Sequence, residues 1–220
     1  MVADADLASV GAVLAEPARA KVLLALGDGR SLAASVLAAE AGVSPATASH
    51  HLARLVDAGF LVAEPRGRHR YFRLAGPEVG QLIEAVARIA PPQPVRSLRQ
   101  GTRAHAIRYA RSCYDHLAGR LGVAVADALE EDGPRKLEMI GVPALAARPC
   151  RDWTEQRDHI AGPLGAALLV RFIDLGWLLR DANTRAVRLT DTGEAGFVSE
   201  LGITLPEAAL ANAVGVSERE

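Results

Sequence analysis

Cysteine is scarce in this chain: two residues, Cys113 and Cys150, among 220. So few thiols exclude a disulfide scaffold, and in a cytoplasmic protein such a pair is reduced, metal-binding or redox-active sooner than structural. No apolar run approaches the roughly 18 residues that a membrane span needs. The opening MVADADLASV is acidic where a secretory leader would be basic. The expectation is a cytoplasmic chain with no membrane partner. Gly-rich phosphate loops, nucleophile elbows and zinc-hydrolase helix motifs are also missing, which argues against an enzyme.

What is present fits an ordinary globule: 50% hydrophobic and 23% charged residues in 23.2 kDa, room for one large domain or two small ones. The net charge of −1 hides an uneven distribution. Between residues 96 and 120 six arginines (Arg96, Arg99, Arg103, Arg108, Arg111, Arg120) face one carboxylate, Asp115. From Leu121 onward ten basic residues face sixteen acidic ones. Local charge governs contact with phosphate, so the middle of the chain suits nucleic acid and the C-terminal half repels it.

Apolar spacing at Leu7, Val10, Val13 and Leu14 predicts a first helix. Glu16-Pro17 opens a second, PARAKVLLAL, which stops at Gly27. A third is expected from about Leu32 to Ala41. Ser44 then caps a fourth, SPATASHHLARLVDAG, with Pro45 at its first position. The period changes at FLVAEP, and a turn around Arg66-Gly67-Arg68 leads into HRYFRLA, which predicts a two-stranded hairpin. A helix from about Pro77 to Ile89 follows, and the proline-rich APPQPVRS reads as a linker. The expected division is 1–90, a linker over 91–100, and a mostly helical domain over 101–220.

Helices, a glycine-bearing turn, a capped helix and a hairpin in this order predict a winged helix-turn-helix within a mainly α protein. The fourth helix is slim enough for the major groove of double-stranded operator DNA, where Thr47, Ser49 and His50, beside Ser44 and His51, meet base edges. Leu52 and Leu55 face the scaffold, and Arg54 lies one turn farther along, suited to a phosphate. Arg66, Arg68, His69 and Arg70 cluster in the hairpin tip, where a wing can grip the backbone or enter the minor groove.

The segments VLAEPARAKVLLAL and AAEAGVSPATASHHLARLVDAGFLVAEPRGRHRYFRL resemble the ArsR-type regulators over about residues 5 to 90. The resemblance implies a homodimeric repressor of transcription that an effector releases. It also implies a dimer seam of Leu7, Val10 and Leu14 with Leu82, Val86 and Ile89. Metal sensors of that family use cysteines before the recognition helix, or Asp and His on the last helix. SLAASVLAAEAG has no cysteine and GPEVGQLIEAVARIA no histidine or aspartate, so those ligand sets are missing.

The C-terminal half contains an echo: HLAGRLGVAVADAL from His116 and HIAGPLGAALLVRF from His159 share His-x-Ala-Gly-x-Leu-Gly-x-Ala, each after a cysteine. After the second copy, a glycine stop, the strand-like GWLLRD, a turn at Asn183 and AVRLTDTGEAGF suggest a degenerate second winged helix. The first copy lacks that wing, since EEDGPRK leads into an irregular stretch. Cys113, Asp115 and His116 fall within one turn, and Cys150, Asp152 and His159 form a looser group. Several readings stay open on these residues. Cys113, His116, Cys150 and His159 bind a soft metal such as zinc if the copies pack together; the cysteines are core and the histidines brace helices; or the thiols are a redox pair, or act with histidine as an enzyme's nucleophile and base. Tyr114, Trp153, Phe172 and Trp177 are either core or the lining of a small-molecule effector pocket.

Overall fold

The computed structural model describes residues 4–91, 98–181 and 184–204. The chain forms two compact units, Met1–Ile83 and Glu84–Glu220. Their boundary falls inside a helix, seven residues before the end of the expected first domain. No helix among the described residues is long and apolar enough to cross a membrane.

Unit 1 begins with α1 (Leu7–Leu14), whose Asp6 cap accepts from the Ser9 N–H at 3.1 Å. None of its residues is buried. Helix α2 (Pro17–Ala25) starts on proline and buries Ala18, Val22, Leu23 and Ala25. The third helix is shorter than its sequence predicts. Leu32 and Ala33 form the strand β1 (Leu32–Ala33), and α3 (Ala34–Ala41) takes the rest. The cause is tertiary: Leu32 is buried opposite Phe72 of a later strand, and that pairing outweighs helix propensity.

Helix α4 (Pro45–Asp57) is capped by Ser44, whose hydroxyl accepts from the Thr47 N–H at 3.2 Å. Its inner face, Ala48, Leu52 and Leu55, is buried. At about 1.5–3 kcal/mol for each fully buried leucine, this stripe holds α4 in place. Strands β2 (Leu61–Arg66) and β3 (His69–Leu74) pair from Leu61↔Leu74 to Arg66↔His69, and β3 also pairs with β1. The two-residue turn between them has Gly67 at φ 60°, which suits the backbone twist of a tight hairpin. Helix α5 (Pro77–Ile89) follows and contains the boundary between the units.

Unit 2 starts with that end of α5, followed by α6 (Leu98–Tyr109), whose first turn lies inside the expected linker. Arg96 and Asn183 lie outside the described residues. A hairpin of β4 (Arg111–Cys113) and β5 (His116–Ala118) leads into α7 (Arg120–Met139). A second hairpin, β6 (Arg148–Arg151) and β7 (Asp158–Ala161), leads into α8 (Gly162–Asp174). Then come β8 (Leu178–Arg180), β9 (Val187–Leu189) and α9 (Asp191–Leu201). The irregular stretch begins only after Met139, and the preceding EEDGPRK is helical. It continues α7 through a break at Asp132 (φ −152°, ψ 53°), because Pro134 lacks an N–H and its ring crowds the carbonyl four residues back.

Unit 2 repeats the helix, glycine turn and two-stranded hairpin of unit 1. Asp57-Ala58-Gly59-Phe60-Leu61 at the end of α4 matches Asp174-Leu175-Gly176-Trp177-Leu178 at the end of α8. The Phe60 N–H donates to the Leu55 carbonyl and the Trp177 N–H to that of Phe172, each at 2.9 Å. Leu61↔Leu74 opens one wing and Leu178↔Leu189 the other. Just as β1 bridges β3, Arg111 at the start of β4 bridges Ala186 beside β9.

The core of unit 2 includes Leu121, Leu168, Leu169, Phe172, Leu178 and Leu201. Phe172 stacks on Trp177 (5.7 Å between centroids), and both meet Phe197, at 4.8 and 5.1 Å. Phe172 and Trp177 are therefore packed core.

A candidate nucleic-acid interface and a buried cysteine and histidine cluster

On α4 the side chains of Ser44, Thr47, Ser49, His50 and Arg54 are exposed and that of His51 is half-buried. Two of them are already engaged. Ser44 serves as the cap and lies 2.9 Å from the Thr47 hydroxyl, and the Ser49 hydroxyl donates to the Pro45 carbonyl at 2.9 Å. Thr47 shares the cap contact through its hydroxyl, so His50 is the freer polar group on the N-terminal half of the helix.

Arg66, Arg68, His69 and Arg70 are exposed on the hairpin tip. Arg66 pairs with Glu64 at 2.8 Å, as does Arg73 at 2.6 Å, and together they hold the Glu64 carboxyl below its usual range. The Arg66 guanidinium also lies over the Tyr71 ring (4.9 Å), and that of Arg70 over Phe72 (5.5 Å). These contacts stiffen the root of the wing and leave Arg68 and His69 at its end.

Of the expected seam, Leu7 is 75% and Ile89 86% exposed, and Val86 is exposed as well. Val10, Leu14 and Leu82 are half-buried. These apolar side chains reach solvent on α1 and α5.

In unit 2 the echo has a geometric meaning. Each copy is a hairpin, a glycine with positive φ (Gly119, 82°; Gly162, 76°) and a helix. Cys113 and His116 are not neighbours on a helix turn, as their spacing suggests; they face each other across β4 and β5. Cys150 and His159 face each other in the same way across β6 and β7, although six more residues separate them. Each copy's second glycine lies against its own hairpin, where a Cβ would strike the carbonyl oxygen of Leu117 (2.6 Å) or of Ile160. A Cβ on Gly122 would lie 3.7 Å from the Cβ of His159, and one on Gly165 would lie 3.0 Å from that of His116.

The four side chains therefore converge, with one sulfur or nitrogen of each within 4.8 Å of the others. Cys113, His116 and His159 are buried and Cys150 is half-buried. The two Nε2 atoms are 3.1 Å apart. His116 Nδ1 lies 2.9 Å from Asp115 Oδ1, while His159 Nδ1 lies 3.4 Å from Asp152 Oδ2, near enough for charge attraction but off a good hydrogen-bond line. Cys113 and both imidazoles pull the Cys150 thiol far down, against the cost of its burial. The Cys113 thiol is pushed well up, first by its hydrogen bond to Cys150 and then by desolvation.

Around this cluster lies a buried polar frame. Asp152 Oδ2 accepts from the Gly119 N–H (2.7 Å) and Arg111 Nη2 (3.0 Å), and Oδ1 accepts from the Thr154 N–H (2.8 Å). Burial opposes ionisation of Asp152, but His159, the Arg111 charge and these donors hold its carboxyl well below the usual range. Arg111 also lies 3.8 Å from Glu84, which pairs with Arg185 at 2.6 Å. Arg111 is thus wholly buried and is no phosphate contact, contrary to its place in the basic stretch. Its only sequence signal is position: it begins a short strand two residues before Cys113.

A helix-turn-helix domain model matches residues 14–63. The uncharacterised HTH-type transcriptional regulator YdfF of Bacillus subtilis (strain 168) is 38% identical over 223 residues, covering 91% of this chain and 99% of YdfF. The similarity thus extends through unit 2. The HTH-type transcriptional regulator CmtR of Mycobacterium bovis is 34% identical over 95 residues, 41% of this chain and 80% of CmtR. Among solved structures, the homodimeric winged helix-turn-helix DNA-binding domain of a possible ArsR-family regulator from Mycobacterium bovis is 30% identical. It covers 40% of this chain and 89% of its own, with a TM-score of 0.35. The chain belongs to the HTH-type transcriptional regulators, sequence-specific DNA-binding proteins.

Proposed function

We propose that the protein is a cytoplasmic homodimeric repressor, not an enzyme, that holds double-stranded operator DNA with α4 and the β2–β3 wing and lets go when an effector binds. Thr47 and His50 read base edges in the major groove, with Ser49 and His51 flanking them and Ser44 fixing the helix start. Arg54, Arg66, Arg68, His69 and Arg70 hold phosphates or the minor groove. The observation that carries this reading is the capped α4, polar outward and leucine-anchored inward, followed directly by a cationic hairpin tip.

Leu7, Val10, Leu14, Leu82, Val86 and Ile89 form the dimer seam, a role supported by the exposure of Leu7 and Ile89. A two-fold dimer calls for a pseudo-palindromic operator with half-sites about one helical turn apart. The test is a salt titration of binding to a duplex from the protein's own promoter. A steep negative dependence of log affinity on log salt is expected, and a flat one overturns the reading.

A further inference from the structure

We propose that Cys113, His116, Cys150 and His159 form a buried four-coordinate site for a thiophilic divalent cation of the zinc class. The site goes beyond the operator reading: it is argued from unit 2 alone, and its test needs no DNA.

Distances come first. In a tetrahedral zinc site with ordinary Zn–S and Zn–N bonds, ligand atoms stand about 3.3–3.8 Å apart. Here all four donor atoms fall within 4.8 Å of one another and the imidazole nitrogens are 3.1 Å apart, so side-chain adjustments of about an ångström close the shell.

Protonation points the same way. Each Nδ1 lies beside a carboxylate, Asp115 or Asp152, and that partner favours the tautomer with the proton on Nδ1. Both Nε2 atoms then present lone pairs to each other across 3.1 Å, where a cation resolves the clash. Carboxylate, imidazole and metal in line is the arrangement that orients histidine ligands.

The site is also closed and electrically balanced. Four protein donors leave no open position for a reacting water, so the ion is held and does not catalyse. As it enters, the protons still held by the four donors leave to solvent, and two thiolates neutralise the double charge with no change of oxidation state. The mixed S and N donors suit zinc, cadmium or cobalt over magnesium or calcium. One cysteine and one histidine come from each hairpin, so the ion clamps the two copies of the echo together.

The reduced full chain, purified with supplemented zinc and dialysed, is expected to retain one zinc per chain by elemental analysis. Replacement by cobalt should give tetrahedral ligand-field bands with thiolate charge transfer, a readout that needs no variant. The paired change Cys113→Ser and Cys150→Ser should lose both, with far-UV circular dichroism to check folding. Asp115→Asn, outside the ligand shell, should weaken zinc binding about 10–100-fold. Reduced wild type that takes up no metal overturns the proposal, whether or not its thiols oxidise to a disulfide. So does a folded double-serine variant that keeps its zinc.

Discussion

Arg111 Nη2 donates to Asp152 Oδ2 at 3.0 Å, and neither side chain reaches solvent. The pair ties the start of the first hairpin of unit 2 to the loop that joins the strands of the second, and Asp152 extends the tie to the Gly119 N–H ahead of α7. Removing one member leaves the other charge buried and uncompensated. Asp152→Ala is expected to cost about 3–5 kcal/mol in urea denaturation. A loss under about 1 kcal/mol would show that the pair does not organise the unit.

Base reading and backbone holding separate in a binding assay. His50→Ala and Thr47→Ala are expected to lose about 1–3 kcal/mol on the operator and to narrow its advantage over scrambled duplex. Arg68→Ala should weaken all duplexes alike and reduce the salt slope by about one. Equal loss of specificity from both kinds of change would contradict these roles.

The α4 cap predicts a stability effect away from any contact with bases. Ser44→Ala removes the acceptor for the Thr47 N–H and should destabilise unit 1 by about 1 kcal/mol, whereas Ser44→Asp keeps the cap. Denaturation of both variants, followed by circular dichroism, distinguishes the outcomes. Equal stability would mean that the cap is idle.

Ile89 is 86% exposed near the end of α5. Ile89→Asp places a charge in the proposed seam and should shift sedimentation from dimer toward monomer at micromolar concentration. An unchanged dimer would move the seam elsewhere.

Metal should also register in folding. An ion bound only by the folded state adds about 2.7 kcal/mol when free metal is 100 times its dissociation constant. Zinc should raise the unfolding midpoint of wild type and leave that of the double-serine variant unchanged.

Unit 1 is legible in the chain because its signals are local. Ser44-Pro45, the glycines after the helices, the leucine stripe of α4 and the change of period at Phe60 each act within a few residues. Leu32 was misread as helical because its partner, Phe72, lies forty residues away. Arg111 counts toward the basic stretch because charge on a sequence carries no burial, and its partners Asp152 and Glu84 are remote.

The echo shows where the division falls. From residue order alone come the first winged helix, the repeat of histidine and glycine, and the donor types at Cys113, His116, Cys150 and His159. Only tertiary structure decided that cysteine and histidine face each other across strands and that the hairpins bring all four donors together. The physical reason is that repeats and caps are properties of neighbouring residues. Convergence of donors depends on packing between segments about forty residues apart, tightest at Gly165, where a Cβ would lie 3.0 Å from that of His116.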